Sequence, residues 1–137
     1  MRALRVLLLL TDLGFLAYWA VTALHLVPDA YLFKDYRDPL VVAWNWSFLP
    51  LDLLISASGL TSLWLQRRGD RRWLALALVS LTLTSCSGLM ALAFWALRRD
   101  FDVSGWLPNA FLLLYPVFFF GPVMRAWTSA TSNAPTT

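Results

Sequence analysis

The sequence contains few of the side chains that build disulfide frameworks and metal centres. It has one cysteine, Cys86, one histidine, His25, and no glutamate. A single cysteine excludes an intramolecular disulfide, and one histidine without cysteine or glutamate neighbours makes a poor zinc or di-iron site. We therefore predict no metal and no cofactor.

The chain also lacks the short motifs of nucleotide-driven and hydrolytic chemistry. It contains no P-loop, no G-x-G-x-x-G, no G-x-S-x-G, no H-E-x-x-H and no haem attachment motif. Charged residues make up only 14% of the sequence, with a formal net charge of +3. Because the arginines lie at the ends of apolar segments, where flanking charge orients membrane proteins, we predict no nucleic-acid binding.

Apolar residues are abundant: they form 59% of the 137 residues, and the mean hydropathy is +0.61. A bilayer span needs ~20 apolar residues, and four segments qualify, at about 4–27, 40–65, 73–97 and 106–127. The sequence predicts an all-α fold, an integral membrane four-helix bundle with one membrane domain over residues 1–127. The first segment is too long for a signal peptide and is interpreted as a retained span. The polar tail, 128–137, is expected to be disordered.

The basic residues predict the orientation of the bundle. One side carries Arg2, Arg5, Arg67, Arg68, Arg71, Arg72 and Arg125, and the other carries Lys34, Arg37, Arg98 and Arg99. Since Lys and Arg are retained on the cytoplasmic face, we expect a multi-pass protein of the inner (plasma) membrane with both termini in the cytoplasm. Its expected surroundings are the lipid bilayer.

Two carboxylates, Asp12 and Asp52, fall inside predicted spans, and no lysine or arginine falls inside a span to neutralise them. Intramembrane ionisable residues are costly and point to a functional site. Depth calculated from the helical rise of ~1.5 Å per residue places the two at the same level. We therefore predict a proton donor and acceptor pair, with the alternatives of one protonated Asp or a water-filled cavity. Pro50 should kink the second span beside Asp52.

Helical spacing predicts a polar chamber around this pair. In the second span Asn45, Asp52, Ser56 and Gly59 share one face, and in the first Asp12 shares a face with Trp19. The catalytic candidates are Asp52 and Asp12. The ligand-binding candidates are Asp38, Asn45, Trp19, Trp44, Tyr115, Thr84, Ser56 and His25. Three structural roles compete with ligand binding for some of these residues. They are helix packing for the small and hydroxyl residues, helix capping for Asp38, and an interfacial position for His25.

The first half of the chain resembles the YvaD-type family of small bacterial four-span membrane proteins, whose function is unassigned. The residues that carry the resemblance lie in roughly 10–60, and they are Thr11 to Phe15, Thr22 to Leu26, Tyr31 to Tyr36, and Ala43 to Phe48 with Pro50 to Asp52. The second half is similar only in its span pattern.

A weaker resemblance is to the EXPERA group, the emopamil-binding sterol isomerases and the sigma-2 receptor. Asp38-Pro39-Leu40, the acidic Asp52, and Tyr115-Pro116 are similar to features of that group. The resemblance implies a membrane-embedded site for a sterol-like or cationic amphiphile. The chain is shorter and lacks the isomerases' histidine-and-glutamate arrangement.

Three functions are compatible with these features. The first is a chamber that binds a lipophilic or cationic amphiphilic small molecule, with acid/base isomerisation or cyclisation by the buried aspartates as its enzymatic form. The second is a proton-coupled exporter, which would need a homodimer because the chain shows no inverted repeat. The third is an accessory or assembly subunit whose aspartates pair with a partner's basic residue. The sequence leaves open whether the protein is an enzyme.

Overall fold

A computed structural model describes residues 1–132 of the chain, and within that range all regular secondary structure is helical. The α-helices are α1 (Arg2–Ala23), α2 (Pro39–Ser47), α3 (Leu49–Arg67), α4 (Trp73–Leu97) and α5 (Val103–Ser132), and a short 3₁₀ helix spans Asp29–Tyr31. In this described part of the chain, four helical stretches are long and apolar enough to cross a membrane: Arg2–Ala23, Pro39–Arg67, Trp73–Leu97 and Val103–Ala130. The prediction of an all-α protein with four membrane-spanning helices is confirmed.

The fourth spanning helix, α5, continues beyond the predicted end of its span. It runs to Ser132 rather than 127, so the first part of the segment predicted as a disordered tail is helical, and 133–137 lie outside the described residues. The hydroxyls of Thr128 and Ser129 donate to the carbonyl of Arg125 at 3.0 and 2.9 Å. Arg71 Nη1 also donates to the carbonyl of Ala130 at 2.7 Å. Of these bonds, only the Arg71 bond reaches a carbonyl of the polar segment after residue 127, which the hydropathy pattern did not mark as helix.

The second span is divided near Pro50, as predicted. One helix ends at Ser47, the next begins at Leu49, and Phe48 lies between them. Pro50 has no N–H, so the carbonyl of Trp46, four residues earlier, loses its usual helical donor. Carbonyls on either side of the break have donors. The Ser47 hydroxyl donates to the Trp44 carbonyl at 2.6 Å, and the amide of Asp52 bonds to the Phe48 carbonyl at 2.8 Å. Asp52 therefore lies in the first turn of α3.

Spans that follow one another along the chain pack side by side. α3 lies between α1 and α4, and α4 packs on α5. The core at one end of the bundle is formed by Leu4, Leu8, Leu74, Ala77, Leu81, Tyr115 and Val123. Gly88 permits the close approach of α4 and α5, since a Cβ there would lie 2.6 Å from the Asn109 carbonyl oxygen. Small residues have this role in helix packing.

The two ends of the bundle differ in charge. The arginine end carries Arg2 and Arg5 at the start of α1, Arg67 at the end of α3, and the short α3–α4 connection. The mixed-charge end consists of the α1–α2 loop, residues 24–38, and the α4–α5 connection, residues 98–102. Ion pairs join the two connections at the mixed-charge end.

Candidate functional site

A cavity of about 660 Å³ lies between the helices near the mixed-charge end. It has the size of sites that hold drug-sized ligands, ~300–1,000 Å³. Aromatic side chains dominate its walls: Phe15, Tyr18, Tyr31, Phe33, Trp19, Trp44, Phe48 and Trp95. Its polar lining includes Asp52, Ser87, Asn45, Asn109 and Lys34. Apolar walls with a few polar groups are typical of small-molecule sites.

Asp52 is the carboxylate of this cavity, and only 5% of its surface is exposed. Its Oδ2 accepts a hydrogen bond from Trp19 Nε1 at 2.9 Å, and its Oδ1 accepts from Ser87 Oγ at 3.3 Å. Both donors are neutral, and no ion pair to Asp52 occurs within residues 1–132. Three helices thus hold a carboxylate at the cavity wall without supplying a cation.

Asn45 adds an unsatisfied hydrogen-bond donor to the cavity lining. Its Oδ1 accepts from the Tyr18 hydroxyl at 2.9 Å, which fixes the amide. Its Nδ2 is buried without a partner among the described residues. A buried donor without a partner is costly, so a polar acceptor in the cavity would be stabilised here.

The aromatic wall is ordered by ring contacts across helices. Trp44 stacks on Phe94 with ring centroids 4.1 Å apart and an interplanar angle of 11°. It meets Trp95 edge to face at 5.4 Å. Trp19, which also lines the cavity, packs against Trp46 with ring centroids 5.3 Å apart. Such contacts hold aromatic side chains, which have few rotatable bonds, in fixed positions.

Asp12 is in a different position from Asp52. It is fully buried, it is not among the cavity-lining residues, and neither carboxylate oxygen has a hydrogen-bond partner in the described part of the chain. The side chain fits against Gly59, where an added Cβ would lie 2.7 Å from the Asp12 Cγ. Ser56 Oγ donates to the backbone carbonyl of Asp12 at 3.1 Å. Gly59 therefore makes room for Asp12 at the α1–α3 contact.

This register does not bring the two carboxylates to one level. Asp12 faces Gly59 and Trp19 faces Asp52, so the two contacts are seven residues, or about 10 Å, apart along the helices. The predicted depth of Asp52 was counted from the start of Pro39–Arg67, which has 29 residues. A helix of that length is about 43 Å long and exceeds the ~30 Å hydrocarbon core. Counting residues from its first residue therefore overestimated the depth of Asp52 below the mixed-charge end.

Four of the predicted site residues line the cavity, namely Asp52, Asn45, Trp19 and Trp44. Four others lie elsewhere: Ser56 in the α1–α3 contact, Thr84 bonded to the Ser80 carbonyl at 2.8 Å within α4, Tyr115 in the core, and His25 in an exposed turn. His25 Nδ1 is 4.0 Å from Asp29 Oδ1, and its side chain is 74% exposed.

Asp38 caps a helix, which was the competing interpretation of this residue. Its Oδ1 accepts from the amide of Leu40 at 2.9 Å, and its Oδ2 pairs with Arg98 Nη1 at 3.1 Å. The amide hydrogen bond and the guanidinium lower the pKa of the Asp38 carboxyl below its usual value of 3.8. The Asp38 carboxylate therefore contacts the start of α2 and the α4–α5 connection, and Asp38 is not among the cavity-lining residues.

Sequence reasoning missed several cavity residues, above all Tyr18, Ser87, Trp95 and Lys34. Ser87 lies in a run of small and hydroxyl residues, which is also typical of helix packing. Trp95 lies near the end of its span, where tryptophan is common at the membrane interface. Periodicity does not distinguish either position from cavity lining. Lys34 Nζ is 2.6 Å from Asp100 Oδ2, and this hydrogen bond raises the pKa of the lysine. The pair links the two connections beside the cavity.

These features define a class: small helical membrane proteins with four apolar spanning helices and one aromatic, carboxylate-containing cavity. Over residues 4–130 the chain matches the Family of unknown function (DUF5360). It is 50% identical over 125 residues to the "Uncharacterized protein YvaD" of Bacillus subtilis (strain 168), an alignment that covers 91% of this chain and 94% of that protein. The chain belongs to this family.

The YvaD-type resemblance is confirmed, and it extends well beyond residues 10–60 into the second half of the chain. No solved structure matches the chain. The similarity to the EXPERA group stays a prediction.

Proposed function

We propose that this membrane protein binds a cationic amphiphilic small molecule in the aromatic cavity, with the ligand's ammonium group at Asp52. The observation that carries the proposal is the geometry of Asp52, a carboxylate at the cavity wall that, within residues 1–132, accepts side-chain hydrogen bonds only from the neutral donors Trp19 and Ser87. A ligand ammonium would supply the missing positive charge.

Electrostatics favour such a ligand over a neutral one of the same size. An ionised carboxylate away from water is stabilised by a paired cation, because its hydration has been lost. The faces of Trp19 and Trp44 offer cation–π contacts worth ~0.5–2 kcal/mol each. The apolar part of the ligand would pack among the remaining aromatic side chains of the cavity.

The enzymatic form of the proposal receives less support from this arrangement. Acid/base isomerisation by two aspartates needs both carboxylates within reach of one substrate. Asp52 lines the cavity, whereas Asp12 is not among its lining residues. A proton-coupled exporter would use Asp52 alternately for a proton and a cation, and an accessory subunit would present it to a partner's basic residue. No contact favours either of these over ligand binding.

The test is ligand binding by the purified protein in lipid nanodiscs. The probes are a naphthyl-substituted tertiary amine and a neutral naphthyl alcohol of equal size, followed by tryptophan fluorescence and calorimetry. We expect Asp52→Asn to weaken amine binding at least about ten-fold, as for the loss of a charge-assisted contact, and to leave the alcohol unaffected. Asp12→Asn is the matched control, since it removes a buried carboxylate outside the cavity. Equal amine affinity in wild type and Asp52→Asn would refute the proposal.

A further inference from the structure

A second, smaller groove of about 170 Å³ lies at the arginine end, between α1 and α3. It is lined by Arg5, Leu9, Leu63, Gln66 and Arg67. We infer that this groove binds one anionic phospholipid, with the phosphate between Arg5 and Arg67 and an acyl chain along Leu9 and Leu63. The inference is independent of the aromatic cavity and of its ligand.

The groove has two layers that match the two parts of a phospholipid. Arg5 and Leu9 are four residues apart on α1, and Leu63 and Arg67 are four apart on α3, so each pair lies on one helix face. The helices are antiparallel, which places both arginines nearer the bundle end and both leucines one turn deeper. One turn is about 5.4 Å, a distance suited to the passage from phosphate to acyl chain.

The two arginines are free to bind an anion. Within residues 1–132 neither forms an ion pair, whereas their neighbours are engaged: Arg72 pairs with Asp70 at 2.7 Å, and Arg71 bonds to the Ala130 carbonyl. Among residues 1–132, Asp70 is the single acidic residue of the arginine end, and its carboxylate is already paired with Arg72. Guanidinium groups bind phosphate with paired N–H donors, and Gln66 supplies a further polar group beside them.

The leucine layer distinguishes a lipid from a free phosphate ion. Leu9 is 39% exposed, and its neighbour Leu10 is 65% exposed, so the groove continues onto the apolar surface that faces lipid in a spanning helix. A free phosphate ion has no apolar part to contact the two leucines, whereas the acyl chain of a phospholipid can pack along both of them. Basic grooves between helices at a membrane surface are a recurring form of anionic-lipid site.

The experiment measures lipid retention by native mass spectrometry of detergent-solubilised protein titrated with phosphatidylglycerol or phosphatidylcholine. We expect the wild type to retain one phosphatidylglycerol molecule in preference to phosphatidylcholine. Arg5→Gln and Arg67→Gln should each weaken it about five-fold and together about thirty-fold. Arg125→Gln, an exposed arginine on α5, is the charge-matched control and should retain the lipid.

Several outcomes decide against the inference. Equal binding of the two lipids, or unchanged phosphatidylglycerol binding in the double variant, would overturn it. Competition by millimolar inorganic phosphate would show a simple anion site and would overturn the lipid assignment. Circular dichroism and a monodisperse elution profile establish that the double variant is folded; if it is not, the two single variants carry the test.

Discussion

The indole nitrogen of Trp19 lies 2.9 Å from Oδ2 of Asp52, and this hydrogen bond joins α1 to α3 inside the bundle. The same two side chains line the aromatic cavity. A contact that stabilises the fold therefore also orients the carboxylate that, in our proposal, pairs with the ligand's ammonium group.

Replacing Trp19 by phenylalanine should destabilise the protein. The variant keeps an aromatic ring but removes the donor to Asp52, and the loss of one partner of a buried bond to a charged group costs ~1–3 kcal/mol. We expect a lower thermal midpoint in detergent, followed by circular dichroism. Trp64→Phe is the control, because Trp64 is 49% exposed and its ring contact with Arg68 can be kept by phenylalanine. Equal losses in the two variants would contradict the structural role of the Trp19 hydrogen bond.

Adding a methyl group at Gly59 should also destabilise the bundle. The new Cβ would lie 2.7 Å from Asp12 Cγ, so either the carboxylate or the α1–α3 contact must shift. Overpacking of this kind costs ~1–3 kcal/mol, which outweighs the ~1 kcal/mol that alanine gains over glycine in a helix.

Gly14→Ala provides the matched control for that substitution. Gly14 lies in the middle of α1, and a Cβ there meets nothing within 4 Å. Its thermal midpoint should stay equal to that of the wild type or rise. If Gly59→Ala were as stable as Gly14→Ala, the close packing of Asp12 on Gly59 would be wrong.

The sequence was sufficient to predict the four spans and the break near Pro50. Each of these depends on a local property: hydropathy over ~20 residues or the missing N–H of proline. The cost of a carboxylate in hydrocarbon singled out Asp52, and its role in a site stays a prediction. The helical ends were less predictable. The polar residues after 127 continue α5 to Ser132, and Arg71 from the α3–α4 connection donates to the Ala130 carbonyl there.

The composition of the cavity could not be predicted, because it depends on register between helices. A shift of seven residues separates the contact of Asp12 from that of Asp52, and hydropathy carries no information on such a shift. Ser87 and Thr84 also show that the sequence pattern does not reveal which residues line the cavity. Both belong to one small polar stripe of α4, yet Ser87 reaches the cavity carboxylate while Thr84 bonds to its own helix.

Acid should weaken the start of α2 through Asp38. The amide of Leu40 and Arg98 lower the pKa of this carboxyl below 3.8 in the folded protein. A carboxyl with a depressed folded pKa stabilises the fold above its unfolded pKa, and the contribution is lost as the pH falls through the folded pKa. The thermal midpoint of the wild type should therefore fall on acidification below about pH 4.

Asp38→Asn separates this effect from the titration of other groups. The variant should show a smaller difference between its midpoints at pH 5 and pH 3 than the wild type. Asn can still cap the helix, so the comparison reports the charge contact with Arg98. Identical pH dependence in the two proteins would exclude Asp38 as a contributor.

The ion pair between Lys34 and Asp100 should restrict access to the aromatic cavity. Lys34 Nζ lies 2.8 and 2.6 Å from the two Asp100 oxygens, and Lys34 itself lines the cavity. Access can be measured without a ligand, as the rate at which a charged methanethiosulfonate reagent labels a cysteine placed at Ala91, a cavity-lining residue of α4. The native thiol, Cys86, is exposed and must first be changed to serine.

In that background Ala91→Cys should be labelled, and Lys34→Gln should raise the labelling rate several-fold. High salt should have the same effect, because partly exposed ion pairs are screened. Ala77→Cys is the control: Ala77 is fully buried in α4 but belongs to the core rather than the cavity, so it should resist the reagent in every background. Equal labelling of the two positions would mean that the reagent reports general opening of the bundle. A rate at Ala91→Cys that is indifferent to Lys34→Gln and to salt would show that the ion pair does not control the entrance.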